Sequence, residues 1–151
     1  EKATGWRFLQ GTGSVSGKLL GGCLEVLENL KDTEYWVSPK DWKGKIMFIE
    51  ASDFMLDPEY FGWILRNYAA SGILHNMSGL IFGRPFHNKF WREYDETIIK
   101  ILKEEGLGKL PVITGMDFGH TCPTFTIPYG ITAEIDSEQR SFTILENAVI
   151  E

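Results

Sequence analysis

The sequence predicts an α/β fold: a short parallel sheet flanked by helices, with additional β-hairpins near the two ends. Three observations carry this reading. Short apolar runs at 45–49, 78–83 and 111–114 lack polar alternation, as strands buried on both faces do. Between them lie segments whose apolar residues recur at helical spacing. The resulting order, strand–helix–strand–helix–strand, needs crossover connections, which build a parallel sheet with helices packed against it.

Each element has its own signal. Residues 6–10 and 14–20 read as two strands of a hairpin, joined by Gly11-Thr-Gly13 and closed by Gly21-Gly22. Residues 23–30 read as a helix, with Leu24, Leu27 and Leu30 inward and Glu25 and Glu28 outward. Residues 36–43 are a loop, and its Trp36 and Trp42 are expected to form a lid over the core. After the strand at 45–49, Asp57-Pro58-Glu59 starts a helix: a capping side chain, a proline in the first turn and an acid beside it. Ser71-Gly72 stops that helix. The strand at 78–83 leads through the loop 84–89 into a helix over 90–105. Its Tyr94, Ile98, Ile101 and Leu102 share one face, and glycines end it. The strand at 111–114 runs into the turn TGMDFGHTCPT. Strands are then expected at 124–127, 131–135 and 141–145, the last two joined by a tight turn over 136–140.

Composition narrows the function classes. The chain of 151 residues is one domain in size, and 43% hydrophobic content can fill a core. A formal charge of −6, from 15 basic and 21 acidic residues, argues against nucleic acid or an anionic membrane as main partner. No apolar stretch approaches the ~18 residues that a spanning helix needs. Residues 1–11 lack the apolar core of a signal peptide. They also lack an initiating Met and carry Trp6, Phe8 and Leu9, so a domain cut from a longer protein is expected. Cys23 and Cys122 read as two reduced thiols of a cytoplasmic protein. No CxxC pair is present, and His75, His87 and His120 lack ligand spacing, so no metal is expected.

Ligands of open α/β sheets collect beyond the carboxyl ends of the parallel strands. Three loops qualify: 50–53, 83–86 and 117–120. Glu50 and His120 end two of those strands, and a carboxylate beside an imidazole has a chemical reason. The acid fixes the tautomer and stabilises the imidazolium when the other ring nitrogen takes a proton. On spacing alone the plainer reading is favoured: Glu50 a solvated loop acid, His120 a satisfied turn histidine. A nucleophile is missing, because GSVSG fails the GxSxG pattern. Cys122 reads as a buried small apolar residue, His75 as a helix C-terminal residue, and His87 as an exposed loop residue. Gly11-Thr-Gly13 and Gly21-Gly22 match no phosphate-loop pattern.

The blocks LGGCLEVL (20–27), IMFIE (46–50), GLIFG (79–83), residues 111–117 followed by FGH (118–120), and IPYG (127–130) stand in a characteristic order. Together they resemble the C-terminal half of the LD-carboxypeptidase family, which includes the microcin C self-immunity proteins. The resemblance covers nearly the whole chain. It implies a swivelling-type α/β domain, residues 1–151, from a serine peptidase with a Ser-Glu-His triad. Glu50 matches the acid and His120 the base. The serine and the oxyanion-hole amides belong to an N-terminal domain that nothing here matches. The resemblance therefore implies that the domain's partners are that N-terminal domain and a peptide or aminoacyl-nucleotide substrate, with a homodimer also open to it. No cofactor is implied, and the chain alone is expected to be inactive.

Two branches of the family compete. Thr121, Pro123 and Arg84-Pro85 resemble the immunity-type branch, which cleaves an amide joining an aminoacyl or peptidyl part to a nucleotide-like part. The murein-recycling branch releases a terminal D-alanine. One departure stands out: family members commonly carry asparagine after the Gly-Gly pair, where this chain has Cys23. Two non-enzymatic readings stand beside these, an α/β module that binds a partner through an exposed apolar edge, and a phosphate-binding regulator using Gly21-Gly22.

Overall fold

The computed structural model describes residues 5–149. Seven strands among them form one mixed sheet: β1 (Arg7–Gln10), β2 (Ser14–Cys23), β3 (Ile46–Glu50), β4 (Gly79–Gly83), β5 (Val112–Met116), β6 (Thr132–Asp136) and β7 (Ser141–Ile144). Their order across the sheet is β1-β5-β4-β3-β2-β6-β7. The centre, β2 to β5, is parallel, as the crossovers require. The α-helices among the described residues are α1 (Leu24–Leu30), α2 (Pro58–Ala70), α3 (Ile73–Asn76) and α4 (Trp91–Glu104).

Strand β2 gives the sheet its curl. Its first half, Ser14 to Lys18, pairs antiparallel with β6, and its second half, Leu19 to Cys23, pairs parallel with β3. The two ends therefore belong to different ladders. The expected hairpin of 6–10 with 14–20 does not form. β1 pairs antiparallel with β5 instead, covering the edge that the parallel strands leave open. Arg7 holds it there: its Nε donates to Asp95 Oδ2 at 2.6 Å, and its guanidinium lies 4.5 Å from the centre of the Trp91 ring.

The expected strand at 124–127 is also absent. Pro123 and Pro128 flank it, and each removes an N–H that a ladder would use. Phe125 N donates to Asp117 O at 2.7 Å, and Phe125 and Ile127 pack against the sheet as loop side chains. The hairpin over β6 and β7 forms as expected. Asp136 Oδ1 accepts from the amides of Glu138 and Gln139 at 2.9 and 2.8 Å.

Period-two alternation divides the core in two. On β3, Met47 and Ile49 face the helices together with Leu24, Phe61, Tyr68, Leu80, Phe82, Tyr94 and Ile98. Ile46 and Phe48 face the other way, with Leu19, Ile81, Ile113, Phe118 and Ile135. The helices thus cover one face, while β6 and the segment after β5 cover the other. Trp42 is part of the helix-side core and 1% exposed, so it is more than a lid. Asp57 caps α2 as expected, accepting from Glu59 N at 2.9 Å. No helix among the described residues is long and apolar enough to cross a membrane.

Candidate functional site

The carboxyl ends of the four parallel strands meet at one rim. Register sets what stands there: Cys23 on β2 is paired with Glu50 on β3, and Gly83 ends β4 beside the turn that follows β5. Glu50 sits at a strand end yet is only 7% exposed, which rules out a solvated loop acid.

Its partner is His120. The imidazole Nδ1 lies 2.9 Å from Glu50 Oε2 and 3.1 Å from Oε1, and the His120 amide donates to Oε2 at 3.2 Å. The carboxylate accepts, so Nδ1 carries the proton and Nε2 holds the free lone pair. The His120 side chain is 45% exposed, so the ring is open to an incoming group. The hydrogen bond to Glu50 raises the His120 pKa above the ordinary histidine value. Partial burial opposes this, and the charges of Glu50, Asp53 and Glu25 add to it.

Two glycines make the approach possible. Gly119 has φ +84, and a Cβ there would stand 2.5 Å from Glu50 Cγ and 2.6 Å from Oε2. At Gly83 a Cβ would stand 2.7 Å from Phe118 O and 2.9 Å from Glu50 Cβ. The turn thus lies directly against the carboxylate because neither position carries a side chain. Asp117 anchors the same turn. It accepts from Arg84 Nε and an Arg84 Nη at 3.0 and 2.9 Å, and from Trp6 Nε1 at 3.1 Å. Phe118, 4% exposed, is the apolar plug beneath.

A second carboxylate, Glu25, belongs to the site although helical spacing assigns it to the outer face of α1. It accepts from Ser52 Oγ at 2.7 Å and from Ser52 N at 3.1 Å, tying α1 to the loop after β3. The Cys23 thiol reaches Glu25 Oε2 at 3.5 Å. Burial, with the negative charges of Glu50 and Glu25, pushes the Cys23 thiol up to about 11, against an opposing backbone contact with Val26. It is a neutral thiol near pH 7 and not an activated nucleophile. Only the three-dimensional register could have revealed this group, since Cys23, Glu25, Glu50 and Ser52 come from two separate segments.

The remaining candidates fall elsewhere. Cys122 is exposed, not buried as expected: it lies in an exposed run over 122–124 with proline next to it. His87 lines a pocket of about 330 Å³ with Arg84, Phe86, Asn88, Thr121 and Cys122. His75 faces Glu105 at 3.6 Å. Gly21 and Gly22 lie inside β2, paired with Phe48 and Ile49, and form no anion-binding loop.

Fold and site together define an α/β domain that presents a carboxylate–imidazole pair at the carboxyl rim of its parallel strands. The family model described as LD-carboxypeptidase C-terminal domain matches residues 16–135, and the chain belongs to that family. It is similar to the microcin C7 self-immunity protein MccF of Escherichia coli, 29% identical over 143 residues, covering 90% of this chain and 38% of that protein. It is also similar to the "Probable murein peptide carboxypeptidase" of Bacillus subtilis, 26% identical over 135 residues, covering 87% of this chain and 40% of that one. Among solved structures, an MccF-like protein from Streptococcus pneumoniae in complex with AMP superposes with a TM-score of 0.82 at 28% identity. That match covers 95% of this chain and 45% of the other. The chain therefore spans about two fifths of the length of the curated relatives it matches.

Proposed function

We propose that this chain is the C-terminal catalytic half of a two-domain serine carboxypeptidase or amidase, and that Glu50 and His120 are the acid and base of its Ser-Glu-His triad. The contact that carries the reading is the Glu50–His120 pair, with Nδ1 held at 2.9 Å and the ring otherwise open. The serine is supplied by the N-terminal domain. Its Oγ attacks the scissile carbonyl while His120 Nε2 takes its proton, and Glu50 stabilises the imidazolium. His120 then protonates the departing nitrogen as the C–N bond breaks. Water, deprotonated by the same imidazole, releases the acyl group and restores the serine.

The substrate we propose is an aminoacyl or peptidyl nucleotide of the microcin C type, cleaved in the cytoplasm at the amide joining its two parts. Similarity to a self-immunity protein and to an AMP-bound relative supports this. The second reading, a murein tetrapeptide LD-carboxypeptidase, is supported by the similarity to the murein peptide carboxypeptidase. A second copy of the protein is a further partner.

The test uses the full-length protein on an aminoacyl nucleotide analogue and on a murein tetrapeptide. Hydrolysis of the first alone favours the immunity-type reading, and of the second alone the murein reading. Glu50→Gln and His120→Ala should each lower kcat by about 10³–10⁴. Turnover that survives His120→Ala would place the active site elsewhere. The chain on its own should hydrolyse neither compound.

A further inference from the structure

Cys23 is a potential metal ligand at this rim that the proposed triad does not use. Its sulfur, a carboxylate oxygen of Glu50 and an imidazole nitrogen of His120 all lie within 4.8 Å of one another. Cys23 ends β2, Glu50 ends β3 and His120 lies in the turn after β5, so no linear ligand spacing announces the group. The sequence expectation of no metal rests on such spacing.

The three donors are those that borderline-soft divalent cations take: a thiolate, an imidazole and a carboxylate. Zinc bound to sulfur at about 2.3 Å, nitrogen at about 2.0 Å and oxygen at about 2.1 Å separates its ligand atoms by roughly 3.3–3.6 Å. The imidazole Nδ1 and the Glu50 carboxylate are already 2.9–3.1 Å apart, and all three donor atoms lie within 4.8 Å of one another. Glu25 lies behind the thiol, 3.5 Å from Sγ, and adds a second negative charge to the surroundings. The half-exposed His120 leaves a path from solvent and room for a water as fourth ligand.

We propose that Cys23, Glu50 and His120 form a binding site for a thiophilic divalent cation of the zinc class, and that its occupancy switches the base off. Binding releases the Cys23 thiol proton to solvent and requires a neutral imidazole. At Nδ1 the ion replaces the proton that Glu50 accepts, and at Nε2 it takes the lone pair that accepts the serine proton. Either way the imidazole cannot act as a base. The switching rests on the proposed triad, whereas the binding does not.

The test is therefore made on this chain, by spectroscopy and without substrate. Cobalt(II) is titrated as a probe and then displaced by zinc. The expected result is saturation at one equivalent, with a near-ultraviolet thiolate-to-cobalt charge-transfer band. Cys23→Ser should abolish the band and weaken binding at least about tenfold, while Cys122→Ser should change neither. His120→Ala should weaken binding by a similar factor and keep the band. Near-ultraviolet circular dichroism checks that each variant is folded, and the Cys122→Ser and His120→Ala arms hold if Cys23→Ser is not. A band that survives Cys23→Ser, a band lost with Cys122→Ser, or no band at saturating cobalt would each overturn the proposal.

Discussion

Gly119→Ala tests whether the turn really rests on Glu50. The substitution adds one methyl group. Its first cost is conformational: an L-residue held at φ +84 loses about 1–2 kcal/mol. Its second is steric. The new Cβ would stand 2.5 Å from Glu50 Cγ, 2.6 Å from Oε2 and 2.7 Å from Glu50 Cβ, inside van der Waals contact. Forced insertion of a methyl into packed surroundings costs about 1–3 kcal/mol. The sum is about 2–5 kcal/mol, and for a chain of this length each kcal/mol lowers Tm by about 2–4 °C.

A control separates the two costs. Gly106 has φ +74, but a Cβ added there would meet nothing within 4 Å, so Gly106→Ala carries the conformational cost alone. Thermal unfolding should therefore show Gly119→Ala about 1–3 kcal/mol less stable than Gly106→Ala. The carboxylate must also rotate away from the new methyl group, loosening its bonds to His120. The His120 ring titration, followed by NMR, should fall back toward the ordinary histidine value. Equal Tm losses in the two variants, with an unchanged His120 titration, would refute the close packing of turn and carboxylate.

Three further outcomes are expected. Because the raised pKa means that Glu50 favours the imidazolium, the pair's contribution to stability is full below about pH 6.5 and fades as pH rises through the higher folded value. Glu50→Gln should therefore lower the urea midpoint more near pH 6 than near pH 9, and an equal loss at both would count against the pairing. Asp95→Ala leaves the Arg7 guanidinium, 15% exposed, without its carboxylate and should cost about 3–5 kcal/mol by denaturant unfolding, with Arg7→Met plus Asp95→Leu recovering most of it. Asp117→Asn weakens the Arg84 anchor; because Asp117 is 38% exposed, the cost should be only about 1 kcal/mol, measured the same way.

The sequence was most legible where a pattern is local. Apolar runs marked β3, β4 and β5, a capping aspartate with proline marked α2, and one apolar face marked α4. Position made Glu50 and His120 candidates, because loops beyond parallel strands bring distant segments together, but spacing alone favoured a solvated acid and a turn histidine, and only the family resemblance paired them. The failures involve non-local pairing. Nothing in residues 6–20 says that β1 crosses to β5, since the gain is the covering of an edge that exists only once the sheet has formed. Nothing in 124–127 says that an alternating apolar segment will pack as a loop, except the prolines at its ends. Glu25 fits a solvent-facing helix position equally well until Ser52 is brought beside it.

Register is what turns these pieces into a site. On β3, Ile46 and Phe48 face Phe118, Met47 and Ile49 face the helices, and Glu50 continues the first set. Parity alone therefore aims its carboxylate at the turn that carries His120. Sliding β3 by one residue would exchange the two faces, bury the carboxylate among the helices and leave His120 without its acceptor. The same register sets Cys23 opposite Glu50. The apolar residues of β3 thus have two roles that cannot be separated: they fill both cores, and in doing so they fix which way the acid points. A substitution that disturbs their alternation should weaken the His120 pairing before it unfolds the domain, because the rim is held by the last pair of the ladder.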